Sequence, residues 1–154
     1  SRICYADFRD LWVIPSAGGP SRRLTVDHAG DNDPAWSPDG HEVVFSSSRD
    51  GTMALWAVSA GGGEPRRLTL GTGPEAEPAF SRDGPGMAYS TSVSGSDLVL
   101  VDLATPWTVD AGALASKGHN TPFDGATLYG RVVTTIKAGR PVYHDGSYLQ
   151  EEHT

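Results

Sequence analysis

Short apolar runs alternate with turn-forming polar segments along most of the chain. Residues 43–45 and 53–58 are rich in Val, Leu, Phe and Trp, which is typical of strands. Asp39-Gly40 before the first run and Arg49-Asp50-Gly51 between the two runs predict tight turns, because Gly readily adopts a positive φ. The pattern therefore predicts short antiparallel strands joined by tight turns.

These segments recur at a fixed interval of 44 residues. The matching pairs are Arg22-Arg23-Leu24-Thr25 with Arg66-Arg67-Leu68-Thr69, Leu11-Trp12 with Leu55-Trp56, Pro34-Ala35-Trp36 with Pro78-Ala79-Phe80, and Phe45-Ser46 with Tyr89-Ser90. So many matches at one offset indicate an internal repeat, and each period has room for the four strands of a propeller blade. We predict that Trp36 and Phe80 occupy equivalent buried positions, and that Phe45 and Tyr89 do so too.

Composition supports a strand-and-turn fold and narrows the function classes. The chain has 19 Gly and 11 Pro in 154 residues, which argues against a helical bundle. Its net charge of −7 argues against a nucleic-acid or anionic-membrane binder. A lone cysteine, Cys4, excludes an internal disulfide framework. The chain begins at Ser1 within a strand-like run, so we expect a piece of a longer protein.

The repeat contains a Ser-Pro-Asp-Gly turn at residues 37–40, a Ser-Arg-Asp-Gly turn at 48–51, a Leu-Trp strand and a Gly-Glu-Pro-Arg-Arg-Leu-Thr run at 63–69. With these motifs, residues 1–95 resemble the TolB-type, WD-like propeller repeat. It implies four-stranded antiparallel blades: the end of one (1–25), a full second (33–70) and the start of a third (77–103). A closed propeller needs about four to eight blades, so we expect a mainly β, partial and open propeller.

The repeat pattern stops near residue 103, and a different type of sequence follows from Pro106. Residues 110–117 are predicted to form a short helix capped by Asp110 and ended by Gly118. After a turn-rich loop, residues 131–137 and 140–144 predict a terminal hairpin around Ala138-Gly139.

The C-terminal part of the chain contains several distinctive segments, which include Trp107-Thr108-Val109-Asp110, Asn120-Thr121-Pro122-Phe123-Asp124-Gly125, Gly130-Arg131-Val132-Val133-Thr134-Thr135 and Gly139-Arg140-Pro141-Val142-Tyr143. In their order and spacing, residues 97–146 resemble the C-terminal end of cyclic amidohydrolases of the dihydroorotase and allantoinase type. We therefore divide the chain into propeller repeats over 1–103 and an amidohydrolase-like segment over 104–154.

Catalysis in the amidohydrolase family needs a metal-activated water held by a His-x-His pair, a carboxylated lysine, two further histidines and an aspartate. The five histidines of this chain, none of them in a His-x-His pair, are His28, His41, His119, His144 and His153. We therefore expect no catalytic, cofactor-binding or metal-binding residues and no activity of this chain alone. Zinc is expected only in a complete amidohydrolase.

Two polar groups suggest other sites, but structural roles are favoured for both. Asp31-Asn32-Asp33 with Asp39-Gly40 resembles part of a calcium loop, yet the step from the acidic residues to Gly40 does not have EF-hand spacing, which favours a blade turn. Lys117 lies two residues before His119, and we favour a packing role at the domain junction over an acid–base pair.

The remaining candidates are also interpreted structurally. Serines 46–48 with Asp50 lack the Gly-x-Ser-x-Gly sequence of a nucleophile elbow. The repeated pairs Arg22-Arg23 and Arg66-Arg67 favour a role within the blade over an anion site. Cys4 is predicted to be buried in a strand rather than reactive. The tryptophans are predicted to anchor the core rather than to bind ligand, and they are Trp12, Trp36, Trp56 and Trp107.

Three functional hypotheses follow. In the first, the chain is a non-catalytic binding or scaffold module that carries an amidohydrolase-like tail. In the second, it is a fragment of a cyclic amidohydrolase whose barrel is absent from it; in the third, the join is an accidental fusion. We expect a protein partner or self-association through open blade edges, with no nucleic acid and no membrane. The resemblances imply a periplasmic location for a TolB-like protein and a cytoplasmic one for a dihydroorotase-like protein.

Overall fold

Antiparallel strands joined by tight turns make up nearly all of the regular structure. The computed structural model describes residues 1–7, 9–70, 73–82, 86–92, 97–113, 121 and 123–149. Three of its sheets follow the repeat: the first has three strands, the second has the four strands of a propeller blade, and the third begins as a blade and continues to six strands.

The first sheet contains three strands in sequence order: β1 (Arg2–Asp7), β2 (Asp10–Pro15) and β3 (Arg22–Arg23). β1 lies at the edge of this sheet. β1 and β2 pair with each other as the second and third strands of a blade do. No strand that corresponds to the first strand of a blade precedes β1 within the described part of the chain.

The second sheet is a complete four-stranded blade. Its strands, again in sequence order, are β4 (Asp31–Trp36), β5 (Glu42–Ser47), β6 (Ala54–Ser59) and β7 (Arg66–Arg67). β5 and β6 are buried on both faces because a sheet packs on each side of them, which explains their almost unbroken apolar runs. The turns at Gly40 and Gly51 have φ values of +71° and +87°, as the sequence predicted.

The third sheet begins as a blade and ends differently. It contains β8 (Glu75–Phe80), β9 (Gly86–Thr91), β10 (Asp97–Asp102), β13 (Arg131–Lys137), β14 (Arg140–His144) and β15 (Ser147–Tyr148), in the order β15-β14-β13-β10-β9-β8. A separate ribbon pairs β11 (Trp107–Thr108) with β12 (Thr127–Leu128). β13 thus lies beside β10 as β7 lies beside β6, so a strand of the C-terminal segment completes the third blade.

The predicted terminal hairpin is confirmed, with Ala138 and Gly139 at φ values of +49° and +77°. The predicted helix over 110–117 is described only as a 3₁₀ turn at Ala111–Ala113. Residues 114–118 lie outside the described part of the chain, as does the turn predicted at Asp83-Gly84.

Two apolar cores hold the three sheets in a stack. The first joins Leu11 and Val13 of the first sheet, and Leu24 just after it, to the near face of the second sheet, which includes Phe45 and Trp56. The second core joins the far face of the second sheet to the near face of the third; its buried members are Val44, Leu55, Ala57, Met87, Tyr89, Val99 and Val101. Each core is therefore an interface between two successive blades.

The repeat places equivalent residues in equivalent environments. Phe45 and Tyr89 are both buried, as predicted. Trp36 and Phe80 are equivalent too, but both are only half-buried. Each is the last residue of the first strand of its sheet, where the neighbouring sheet covers one side of the ring.

Candidate functional site

A groove of about 840 Å³ opens between the second and third sheets. One wall comes from the second sheet and the segment after it, with Val44 and Leu68, and the other from the third sheet, with Met87 and Tyr89. The β11–β12 ribbon supplies Trp107, so the groove is bounded by propeller repeats and by the C-terminal segment together.

Glu75 is a buried carboxylate in the wall of this groove. It is the first residue of β8, and its N–H donates to the Met53 carbonyl at 3.0 Å. Its side chain is buried, and Oε2 has no hydrogen-bond partner among the described residues. A carboxylate oxygen in this state can accept a hydrogen bond from a bound group.

The electrostatics of the groove follow from this burial. Burial raises the pKa of Glu75, while the hydrogen bond with Thr69 and the charge of Arg67 act in the opposite direction. Burial also raises the pKa of Tyr89 to about 12, and the neighbouring Glu75 contributes to that shift. Tyr89 therefore remains a neutral phenol at ordinary pH, and Glu75 is the titratable group of interest.

Comparison with the preceding repeat shows that Glu75 lacks the arginine partner of its equivalent. The residue 44 positions earlier is Asp31, whose carboxylate is bound by Nη2 of Arg49 at 2.9 and 3.0 Å. The repeat position that corresponds to Arg49 is Val93 in the sequence. The third blade therefore has the buried acid of the second blade without the arginine that binds it.

The mouth of the groove is apolar and exposed. Leu70 and Tyr129 both line it, and their exposed fractions are 71% and 68%. Trp107 lies against it with its ring N–H buried and without a partner among the described residues. Exposed apolar side chains beside unsatisfied polar atoms are typical of a surface that binds another molecule.

The histidines do not assemble a metal site in the described structure. His28, His41 and His144 are exposed, and Nδ1 of His144 is 2.9 Å from the hydroxyl of Thr134. Among the described residues, no three His, Cys, Asp or Glu side chains lie close enough to hold a metal ion. The described donor set therefore does not fit the zinc centre of the resembled amidohydrolases; Lys117, His119 and His153 lie outside it.

The acidic residues of the calcium-loop candidate bind protein groups. Asp31 is paired with Arg49, and Oδ2 of Asp33 accepts from the Ser46 hydroxyl. Oδ1 of Asp39 accepts from the Ser37 hydroxyl at 2.6 Å and from the His41 N–H at 3.0 Å, which is the geometry of an Asx turn. These carboxylates therefore take part in a turn and in packing between strands, and the Ser46 hydroxyl that donates to Asp33 is buried.

The repeated arginines have the same role in both blades. Nε of Arg23 donates to the Thr25 carbonyl at 3.0 Å, and Nε of Arg67 donates to the Thr69 carbonyl at 2.6 Å. Arg22 reaches the Ala60 carbonyl of the next blade at 2.7 Å. The pairs therefore link turns and blades.

The tryptophans and Cys4 lie in different surroundings: the first core, its edge and the groove. Trp56 is buried in the first core, and Trp36 packs against that core. Trp107 lines the groove, and Trp12 is half-buried on the side of β2 that faces away from the first core. Cys4 packs against the first core, and burial raises the pKa of its thiol to about 11, which disfavours the reactive thiolate.

Sequence reasoning did not single out Glu75. Its signal was nevertheless present, because the 44-residue offset pairs Asp31 with Glu75 and Arg49 with Val93. Comparing the two copies for charge as well as for apolar residues would have indicated an acid without its partner.

Comparison with known proteins agrees with the repeat. Residues 3–117 match the family described as PD40, TolB beta propeller domain. The fold resembles a TolB structure from Agrobacterium tumefaciens, with a TM-score of 0.63 and 21% identity over 92% of this chain and 48% of that one. A TolB structure from Acinetobacter baumannii gives a TM-score of 0.56 and 22% identity, over 67% of this chain and 28% of that one.

A second set of relatives matches a shorter stretch. Dihydroorotases from Anaeromyxobacter sp. (strain K) and Pelobacter propionicus are 45% and 50% identical over 53 and 48 residues. These matches cover 34% and 31% of this chain, and the chain spans only 12% and 11% of the length of those enzymes. Within the described residues, no helix is long and apolar enough to cross a membrane.

Proposed function

Because the chain belongs to the TolB beta-propeller domain family, we propose that it acts as a non-catalytic binding or scaffold module for a protein partner. The observation that carries this proposal is the groove between the second and third sheets. Its mouth exposes Leu70 and Tyr129, and its wall holds the unpaired carboxylate oxygen of Glu75. Apolar contact area with a few convergent polar groups is what a binding groove requires.

The polar atoms of the groove define the chemistry of the partner. Oε2 of Glu75 accepts a hydrogen bond, so it suits an ammonium or guanidinium group. The ring N–H of Trp107 donates, so it suits a carbonyl oxygen. An extended protein segment with one basic and one apolar side chain supplies all these groups.

The test uses short acetylated and amidated peptides that differ at one central residue. Peptides with central Lys or Arg, flanked by Leu, are compared with the same peptide carrying norleucine, by titration calorimetry. We expect the basic peptides to bind about tenfold more tightly or better, which is the effect of one charge-assisted hydrogen bond.

Glu75→Gln should remove this preference, and Glu64→Gln, at an exposed acid outside the groove lining, should keep it. Equal affinity for the basic and norleucine peptides would show that Glu75 does not select the partner.

Absence of catalysis is the second part of the proposal. The chain is incubated with zinc and with dihydroorotate or allantoin, and hydrolysis is compared with a metal-free control. We expect no excess turnover, because the described residues hold no metal-binding cluster. Bound zinc near one per chain together with turnover would overturn this part.

Self-association through open strand edges is also part of the proposal. Among the described residues β1 lies at the edge of its sheet, so its outward backbone groups are available to another strand. Sedimentation at increasing protein concentration tests this directly, and a monomer at about 100 μM would contradict it.

A second candidate function is supported by the dihydroorotase matches. In this alternative, the chain is a fragment of a metal-dependent cyclic amidohydrolase whose barrel lies elsewhere in the same protein. The 45% identity over 53 residues favours it. The reading frame around this segment decides, because a barrel-length stretch with a His-x-His pair would support the enzyme.

A further inference from the structure

The second blade binds its buried acid with an arginine of its own. Nη2 of Arg49 donates to both carboxylate oxygens of Asp31, and Nε donates to the Ser47 hydroxyl at 3.1 Å. The Arg49 guanidinium lies 5.2 Å from the centre of the Phe45 ring and 4.8 Å from the centre of the Trp56 ring. An acid, a hydroxyl and two rings thus form a complete guanidinium site between the first and second sheets.

The third blade keeps the backbone frame of this site. Glu75 lies opposite Thr91 across β8 and β9, and Asp31 lies opposite Ser47 across β4 and β5 in the same way. Each acid is the first residue of its strand, and its N–H donates at 3.0 Å to a backbone carbonyl of the preceding blade. The two acids therefore occupy equivalent places in two successive interfaces between sheets.

The side chains around this frame are only partly kept in the third blade. The buried ring of Tyr89 corresponds to Phe45, so an aromatic surface remains. Phe45 pairs with Trp56, whereas Tyr89 pairs with Val99, so a valine stands where the second blade has an indole. The arginine has Val93 as its counterpart in the sequence. The third blade thus keeps the acid and one ring of the site and lacks its guanidinium.

The neighbouring cations do not take the place of that guanidinium. Glu75 is 3% exposed, and its Oε2 has no hydrogen-bond partner among the described residues. The positive charge of Arg67 acts on Glu75. The guanidinium of Arg67 is bound elsewhere, by the Thr69 carbonyl and the Asp50 carboxylate. Arg66 also lines the groove, and its Nη2 binds another acid at 2.7 Å. A buried acceptor is therefore left open in the groove wall.

We propose that the groove binds the guanidinium group of an arginine side chain of the partner protein, in the place that Arg49 occupies in the second blade. Oε2 of Glu75 accepts from the guanidinium, and Tyr89 supplies the aromatic surface beside it. The inference rests on the proposed function, which leaves ammonium and guanidinium groups open. The frame selects guanidinium because a planar, weakly hydrated cation pairs with a carboxylate and lies against a ring better than a compact ammonium does.

The first test uses ethylguanidinium and ethylammonium, two small probes that differ only in the cationic group. Each is titrated into the chain at about pH 8, well above the ordinary pKa of a carboxyl group, and binding is followed by the backbone N–H signals of Thr69 and Glu75 in NMR spectra. We expect ethylguanidinium to bind about fivefold more tightly or better. Glu75→Gln should abolish this difference, and Glu64→Gln, at an exposed acid outside the groove lining, should keep it.

The second blade provides a positive control. Arg49→Ala leaves Asp31 without its arginine, which is the state of Glu75 in the wild-type chain. Ethylguanidinium should therefore raise the melting temperature of Arg49→Ala more than ethylammonium does at the same concentration, and by more than it does for the wild type. Equal effects of the two cations on Arg49→Ala would overturn the proposal. If this variant does not fold, the titrations of Glu75→Gln and Glu64→Gln decide alone.

Peptides separate this inference from the proposed function. The peptide with central Arg should bind about fivefold more tightly than the one with central Lys, and both should bind more tightly than the norleucine peptide. Equal affinity for the Arg and Lys peptides, both above norleucine, would overturn guanidinium selection and leave the proposed function in place. Selective binding of ethylguanidinium without binding of any peptide would overturn the protein partner and support the guanidinium site. Equal binding of all probes and peptides would overturn both.

Discussion

Arg49→Ala removes the cation that compensates a buried acid. Nη2 of Arg49 binds both carboxylate oxygens of Asp31, which is fully buried, and it also lies 3.0 Å from Asp27. The guanidinium stacks 4.8 Å from the centre of the Trp56 ring. Removing one member of a buried pair costs about 3–5 kcal/mol, because the other charge stays desolvated and alone.

The magnitude is large relative to the stability of a small domain, which is about 5–15 kcal/mol. Urea unfolding followed by tryptophan fluorescence should show a loss of about 3–5 kcal/mol for Arg49→Ala. The control is Arg66→Ala, whose ion pair with Glu42 is exposed and should contribute less than about 1 kcal/mol. Equal small losses for both variants would refute the reasoning.

A double-mutant cycle isolates the pair itself. If Asp31 destabilises the Arg49→Ala chain because its charge is uncompensated, then Asp31→Ala in that background should recover part of the loss. Strictly additive losses would mean that Arg49 acts through its contact with Trp56 rather than through the carboxylate.

Three other substitutions give separate tests. Burial raises the pKa of the Glu75 carboxyl above its ordinary 4.5, so the folded chain binds that proton more tightly than the unfolded chain does. The free energy of unfolding of the wild-type chain therefore falls as pH rises past 4.5. The urea midpoint of Glu75→Gln should therefore improve relative to wild type between about pH 4.5 and pH 7. Ala138→Asn should raise the free energy of unfolding by about 0.5–1 kcal/mol, because Asn tolerates the φ of +49° in the turn before Gly139. Phe45→Ala should lower the melting temperature of the dilute monomer far more than Tyr5→Ala does, because truncating a fully buried Phe costs about 3–5 kcal/mol. Similar decreases in melting temperature for the two variants would contradict the assigned burial.

The blades could be predicted because their signals are local. Asp39-Gly40, the apolar runs beside it and the 44-residue offset specify strands, turns and repeat at once. The hairpin around Ala138-Gly139 was predictable for the same reason. The pairing of β13 with β10 was not, because a strand edge carries no sequence mark of its distant partner.

The candidate site was harder to predict than the fold. Glu75 is distinctive only through the absence of an arginine elsewhere in its repeat, and the groove needs residues from distant segments such as Leu70 and Tyr129. Trp12 was assigned to the core by residue type, but its exposure depends on whether another sheet covers it. Properties set by long-range packing are therefore the ones that the sequence left open.

The pairing of β10 with β13 has a consequence for where this chain can tolerate an insertion. Asp102 ends β10 and lies directly opposite Arg131, which begins β13. The chain thus leaves the sheet after Asp102 and re-enters it opposite that residue at Arg131, with 28 residues between the two. Because lengthening a loop with fixed ends costs little free energy, this junction can accept extra chain, even a whole folded unit, without shifting the register of the blade.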